Sequence, residues 1–244
     1  MVSAWAGVNN LVLGQRKTGA NAKSTEIKAI PELLRTLALA GATVTIDAIG
    51  CQKNIAGQIV EQKADYILAV KENQPTLPAD IQDSFQMLAA DAVDQQVDCG
   101  HGRVETRRCW VVAGLSLLDN ASAWPSLRAV VRIQAERFHK ATGKTERETR
   151  YYITSLAANA TRINAAIRQH WGIENKLHWV LDVAFGEDLS RKRAGNAAQN
   201  FSTLNRFALN LLRRDKSSPL GVHGKRLAAA WDHDYLLTLL AGAN

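Results

Sequence analysis

Four side chains able to bind a metal or move a proton, His170, Glu174, His178 and Asp182, recur at four-residue steps within RQHWGIENKLHWVLDVAFGEDLSRKR, residues 168–193. On a helix such steps drift slowly around one face. Ile173, Leu177, Val180, Leu181 and Ala184 make the adjoining apolar stripe. Glu174 would then stand at the margin of a buried face, aimed in one direction by packing. Arg168 precedes it, and Arg191, Lys192 and Arg193 follow. A held carboxylate followed by cations suits a hard divalent metal that works on phosphates. A solvated helix face with ordinary ion pairs has the same residue types. Asp182, Glu187 and Asp188 could act as further ligands, caps or salt-bridge partners, and their roles stay open at this level.

A second acid, Asp47, closes the apolar run ATVTIDAI at residues 42–49. Such a run reads as a strand buried on both faces, as parallel strands are. Open α/β sheets place functional groups at the C-terminal ends of their strands. The alternative is an Asp that caps the next helix. A helix over residues 52–63 and a strand over 66–70 complete a β-α-β unit. Lys71, Asn73 and Gln74 follow at the same sheet edge as Asp47. They could touch a phosphate backbone or form a polar turn before Pro75.

The remaining elements must carry these groups. Residues 2–6 and 11–15 read as two short strands joined by Asn9-Asn10, so the chain is expected to begin inside a sheet. Thr25 is placed to cap a helix over residues 26–40 that Gly41 ends. Residues 97–155 show alternating patterns at 104–113, 128–134 and 149–155, which predict a small antiparallel insertion. Within it, HGRVETRR puts Arg103, Glu105 and Arg107 on one face. That is either an edge strand protected by charge or a strand laid along a nucleic-acid backbone. The C-terminal half is helical: 160–171, a break at Gly172, then 173–185. A helix over 195–214 follows, with Phe201, Leu204, Ala208, Leu211 and Leu212 inward and Arg206, Arg213 and Arg214 outward. A last helix is expected over 225–240.

Composition bounds the partners. The 244 residues are 46% hydrophobic and 22% charged, an ordinary globular balance. The formal net charge of +7 favours a polyanion. Cys51, Cys99 and Cys109 are odd in number and form no C-x-x-C, so neither a disulfide framework nor a zinc knuckle is indicated. A reducing cytoplasm fits. There is no apolar run of transmembrane length and no signal-peptide pattern at the N-terminus, so no membrane partner is expected.

Several longer stretches carry a resemblance: L-G-Q, K-S-T-E-I, T-I-D-A-I-G-C-Q, Y-I-L-A-V-K-E-N-Q-P, H-G-R-V-E-T-R, Y-Y-I-T-S-L, H-W-G-I-E-N-K-L-H-W-V-L-D-V and E-D-L-S-R. Nearly end to end, the chain resembles the H-repeat-associated insertion-sequence transposases of bacteria, a branch of the DDE transposases. The resemblance implies an α/β fold: an RNase H-like mixed sheet flanked by helices, with an antiparallel β-rich insertion and a helical C-terminal region. It divides the chain into a first part of the core (1–75), a linker helix and insertion (76–156), and a helical remainder bearing the catalytic Glu (157–244). It implies that Asp47 and Glu174 are the second and third acids of a triad that holds Mg²⁺ or Mn²⁺. The first Asp, in a D-G-K motif, has no counterpart before Val2, so the chain resembles an N-terminally truncated member with impaired catalysis. The implied reaction is cutting and joining of insertion-sequence DNA by two-metal phosphoryl transfer. The implied partners are double-stranded DNA, as inverted-repeat ends and target, and a second copy in a synaptic complex. The alternative is a DNA-binding fragment that occupies transposon ends without catalysis. Lys71, Asn73, Gln74, Arg103, Arg107, Arg168, His170, His178, Arg191, Lys192 and Arg193 are the candidate DNA contacts. Related insertion-sequence families carry Tyr, Arg and Lys around the Glu, where Ile167, His170 and Leu181 stand here.

Overall fold

The computed structural model describes residues 1–18, 22–100 and 102–242. The strands and helices through the middle of the chain are β1 (Val2–Ala6), β2 (Leu11–Arg16), α1 (Ala22–Leu34), β3 (Thr43–Ile46), α2 (Lys53–Glu61), β4 (Asp65–Val70), α3 (Leu77–Met87) and β5 (Ala92–Gly100). Then come β6 (Arg103–Val112), β7 (Ala129–His139), β8 (Thr145–Thr154), α4 (Ala160–Ile173), α5 (Trp179–Phe185), α6 (Ala197–Arg214), α7 (Val222–Trp231) and α8 (His233–Ala241). A 3-10 turn at Ala48–Gly50 and a π-helical stretch at Glu174–His178 matter for function. Two compact units form, Ala20–His170 and Met1–Gly19 with Trp171–Asn244. The expected Thr25 cap contact lies outside the described residues, although the backbone of α1 begins before Thr25.

In Ala20–His170, one mixed sheet has the strand order β3-β4-β8-β7-β6-β5. β3 and β4 are parallel, the expected β-α-β unit, and the other pairings are antiparallel. The antiparallel strands form no separate layer. β8 pairs with β4 from Ile67↔Thr154 to Val70↔Tyr151 and so extends the same sheet. Two strand assignments need correction. β3 is the outer strand and only half-buried, not covered on both faces. β6, for which one of the two readings is a charged edge strand, is paired on both sides, and the outer strand at that end is β5. The core lies under α4, where Ile163 and Ile167 pack on Val111, Val131, Ile133 and Tyr152. Each such aliphatic side chain stabilises by about 1.5–3 kcal/mol relative to exposure.

In the second unit, β1 and β2 pair antiparallel with a bulge at Ala4/Trp5. α6 lies along β2, and the Asn210 amide acts as a strand substitute. It accepts from Val12 N at 2.9 Å and donates to Val12 O at 2.8 Å. Leu212 is buried as expected, but that polar docking also buries Ser202, Arg206 and Leu209, while Phe201 and Leu204, expected inward, are exposed, as is Phe207. Leu177, Leu181 and Leu209 form the unit's core with Val12, flanked by Trp5, Ile173 and Phe185. The expected last helix is two helices, because Asp232 accepts from Asp234 N and Tyr235 N and starts α8. Nor does Gly172 break its helix: α4 runs to Ile173 and the π-helical stretch follows directly.

Candidate active site

Asp47 ends β3 on an exposed turn. It occupies the cap position of the 3-10 turn, yet its side chain makes no capping bond, so the carboxylate is available to a ligand. The turn is fixed from below. Asn73 Nδ2 donates to Ala48 O at 2.7 Å, and Gln74 Nε2 donates to Cys51 O at 2.6 Å. These two candidate DNA contacts are therefore engaged in holding the Asp47 turn, and Lys71 beside them is exposed. Gly50 is needed for the same turn: a Cβ there would lie 2.3 Å from Ile46 Cγ2. α4 is tied to β3 by Arg162 Nη2, which donates to Thr43 Oγ1 at 3.2 Å, and by a 3.1 Å bond between His170 Nδ1 and Thr45 Oγ1. Thr43, Thr45 and Asp47 alternate onto one side of the strand.

The basic strand separates its charges. Arg103 is exposed, whereas Arg107 is buried and paired with buried Glu105. Burial, then the neighbouring Arg168, lowers the Arg107 pKa, and Glu105 opposes the fall. Arg168 reaches Asp98 at 3.4 Å and Glu105 at 3.5 Å. As folded, Arg107 serves this ion-pair network and does not present its guanidinium to a surface. Cys99 and Cys109 fall on opposite sheet faces, since Cys99 pairs with Val104, five positions from Cys109.

Glu174 is exposed and opens the π-helical stretch. Such a stretch bonds i to i+5 and displaces a carbonyl from its usual partner, and it recurs at functional sites. Arg213 binds a carbonyl of this stretch: its Nη2 donates to Lys176 O, its Nη1 donates to Asn10 O at 2.9 Å, and its guanidinium sits 4.8 Å from the Trp5 ring centroid. Burial lowers the Arg213 pKa. His178 is half-buried near Asp182. Burial first, then Asp188 and Glu187, raise the Asp182 pKa, with His178 opposing. Ile167 and Leu181, which stand where related families carry polar groups, are core residues at 3% and 0% exposure.

Glu187 accepts from Arg206 Nη1 at 2.7 Å and from Ser202 Oγ at 2.8 Å. This anchor, half-buried at Glu187 and buried at Arg206 and Ser202, fixes the start of the segment that carries Arg191, Lys192 and Arg193, all exposed. A cavity of about 370 Å³ opens beside it, lined by Phe185, Glu187, Leu189, Arg191, Lys192 and Phe201. Lys192 Nζ lies 3.7 Å from the Phe201 ring centroid. Arg206 and Arg213 escaped sequence reading because the apolar periodicity of α6 pointed both outward. Asn210 lies between them, but α6 also carries Gln199, Asn200 and Asn205, so its sequence does not single Asn210 out.

The pattern of the family described as transposase DDE domain matches residues 1–211. The chain belongs to that family. YbfL of Escherichia coli K12 is 39% identical over all of this chain and 66% of its own length. YncI of E. coli O157:H7, which bears a transposase name, is 42% identical over all of this chain and 64% of its own. YhhI of E. coli K12, named as an H repeat-associated transposase candidate, is 39% identical over all of this chain and 66% of its own. The chain thus spans just under two thirds of the curated relatives it matches. The mixed sheet with flanking helices is consistent with an RNase H-like core. Among the described residues no helix is long and apolar enough to cross a membrane.

Proposed function

We propose that this DDE domain takes part in DNA transposition, with Asp47 and Glu174 as its metal-holding acids. The family match over residues 1–211, which includes both, carries the reading. Two local features support it: an Asp47 carboxylate without a capping bond and a Glu174 at the head of a π-helical stretch. Both donors are hard oxygens, which suit Mg²⁺ or Mn²⁺. When bound, such ions supply an activated water or hydroxyl and charge neutralisation at a phosphate. The protein's own part is to hold the two carboxylates. The Asn73 and Gln74 bonds hold the Asp47 turn, and Arg213 holds the turn that Glu174 opens. Lys71, Arg103, Arg191, Lys192 and Arg193 are the cations placed to take phosphates of double-stranded DNA, whether element ends or target, and that affinity falls with salt. A homodimer in a synaptic complex, in the bacterial cytoplasm, completes the proposal.

A second reading, which the net charge of +7 favours, is a DNA-binding fragment that occupies transposon ends without catalysis. Mn²⁺-dependent nicking of a plasmid carrying the element's ends tests both statements. Nicking at the rate of a full-length relative, abolished by Asp47→Ala or Glu174→Ala, would establish the acids and overturn the binding-fragment reading. A band shift that weakens with salt, without nicking, fits the binding fragment. Nicking that survives both substitutions would exclude these acids as the catalytic pair.

A further inference from the structure

β5 is the outer strand of its sheet. Natural edge strands are blunted by charged side chains, above all Lys, by Pro, by bulges or by brevity. β5 runs nine residues as AVDQQVDCG; its charges are Asp94 and Asp98, both on one face, and it has no Lys, Arg or Pro. Its register on β6 is unbroken from Ala92↔Val111 to Gly100↔Arg103. Val93 and Val97 point to one face and are 58% and 54% exposed. The opposite face carries Asp94 and Asp98, with Asp94 held by Asn164 at 2.7 Å and by Thr161 at 3.1 Å. The far edge has no strand partner among the described residues.

We propose that this edge is an interface between two copies of the chain, with β5 pairing antiparallel to β5 about Gln95. Antiparallel pairs place opposite residues on the same face, so a two-fold axis must pass through a residue of the strand. An axis at Asp94 would oppose the two Asp94 side chains, and one at Gln96 would oppose Asp94 and Asp98. Like charges directly opposite destabilise. An axis at Gln95 avoids this. It sets Val93 against the partner's Val97 twice, Asp94 against the partner's Gln96 twice, and Ala92 against the partner's Asp98 twice. An axis at Val97 also separates the acids, but it leaves Val93 without an apolar partner. The Gln95 register alone covers both exposed valines and continues each six-stranded sheet into the other. It gives the proposed homodimer its surface, and it does not depend on DNA or metal.

Sedimentation equilibrium of the 244-residue chain, without DNA, is the test. The expected result is a dimer that Val97→Lys and Val93→Lys each weaken by at least about tenfold, with the far-UV circular dichroism of the folded chain unchanged, because a lysine blunts the edge. In a Cys99→Ser background, Gln95→Cys should form an interchain disulfide on mild oxidation and Val97→Cys should not. A monomer at high micromolar concentration would overturn the interface and the dimer together. A dimer that both lysine variants leave intact would overturn the interface alone. Cross-linking through Val97→Cys in preference to Gln95→Cys would overturn the register.

Discussion

Replacing Arg213 with Met should loosen the helical turn that Glu174 opens. Met keeps much of the aliphatic stem but removes every polar contact. The losses are the bond to Asn10 O, the bond to Lys176 O and the stack on Trp5. Hydrogen bonds from a charged group contribute about 1.5–3 kcal/mol each, and a cation over an aromatic ring about 0.5–2 kcal/mol. Arg213 is half-buried, so water can reach part of the site and compensate. A net loss of about 2–4 kcal/mol follows. Lys should recover part of it, since it keeps the charge but cannot make the forked pair of bonds. Urea unfolding at neutral pH reads the global effect. Amide exchange at Leu177–Leu181 reads the local one, and it should quicken in the Met variant even under native conditions. A loss below about 1 kcal/mol together with unchanged exchange would refute the claim that Arg213 supports this turn.

Three further outcomes are expected. Asp215 is buried and accepts from Ser217 N and Oγ, Lys225 Nζ and Tyr235 Oη. Burial acts to raise its pKa, but those donors outweigh burial and hold the carboxyl well below the usual carboxylate range. Its contribution is therefore complete above about pH 4 and is lost as pH falls toward the depressed native value. Asp215→Asn should cost about 3–5 kcal/mol at neutral pH by stranding buried Lys225, and it should flatten the acid limb of a stability–pH curve. Asp182 has the opposite sign. Its pKa is raised by burial and by Asp188 and Glu187, so its ionisation opposes folding as pH rises above the ordinary carboxylate value. Asp182→Asn should raise Tm at pH 7, with the difference vanishing near pH 3. Gly50→Ala should cost about 1–3 kcal/mol, because its Cβ would meet Ile46 Cγ2 at 2.3 Å and Ile30 Cδ1 at 3.1 Å. Calorimetry reads it, and unchanged stability would show that the turn yields freely.

Local sequence determined the parts of this protein that depend on neighbours along the chain. The apolar run before Asp47, the following helix and the strand over Tyr66 to Val70 announce a β-α-β unit by periodicity alone. The two acids and the basic segment after Phe185 stand in motifs specific enough to show the family resemblance. Periodicity reports which face of an element is apolar, but not which face a neighbour will take. α6 shows the difference. Its apolar stripe through Phe201 and Leu204 predicted burial, yet the unpaired edge of β2 required hydrogen bonds, and Asn210 supplied them. That docking buried Arg206 and brought Arg213 to the carbonyls of Asn10 and Lys176. The same limit applies to the sheet. Alternation identified β6, β7 and β8, but the pairing of β8 on β4 made them one sheet with β3, put β6 inside it and left β5 at its edge. Only tertiary structure decided these outcomes, because an unsatisfied backbone group costs about 1–3 kcal/mol and draws its partner from anywhere in the chain.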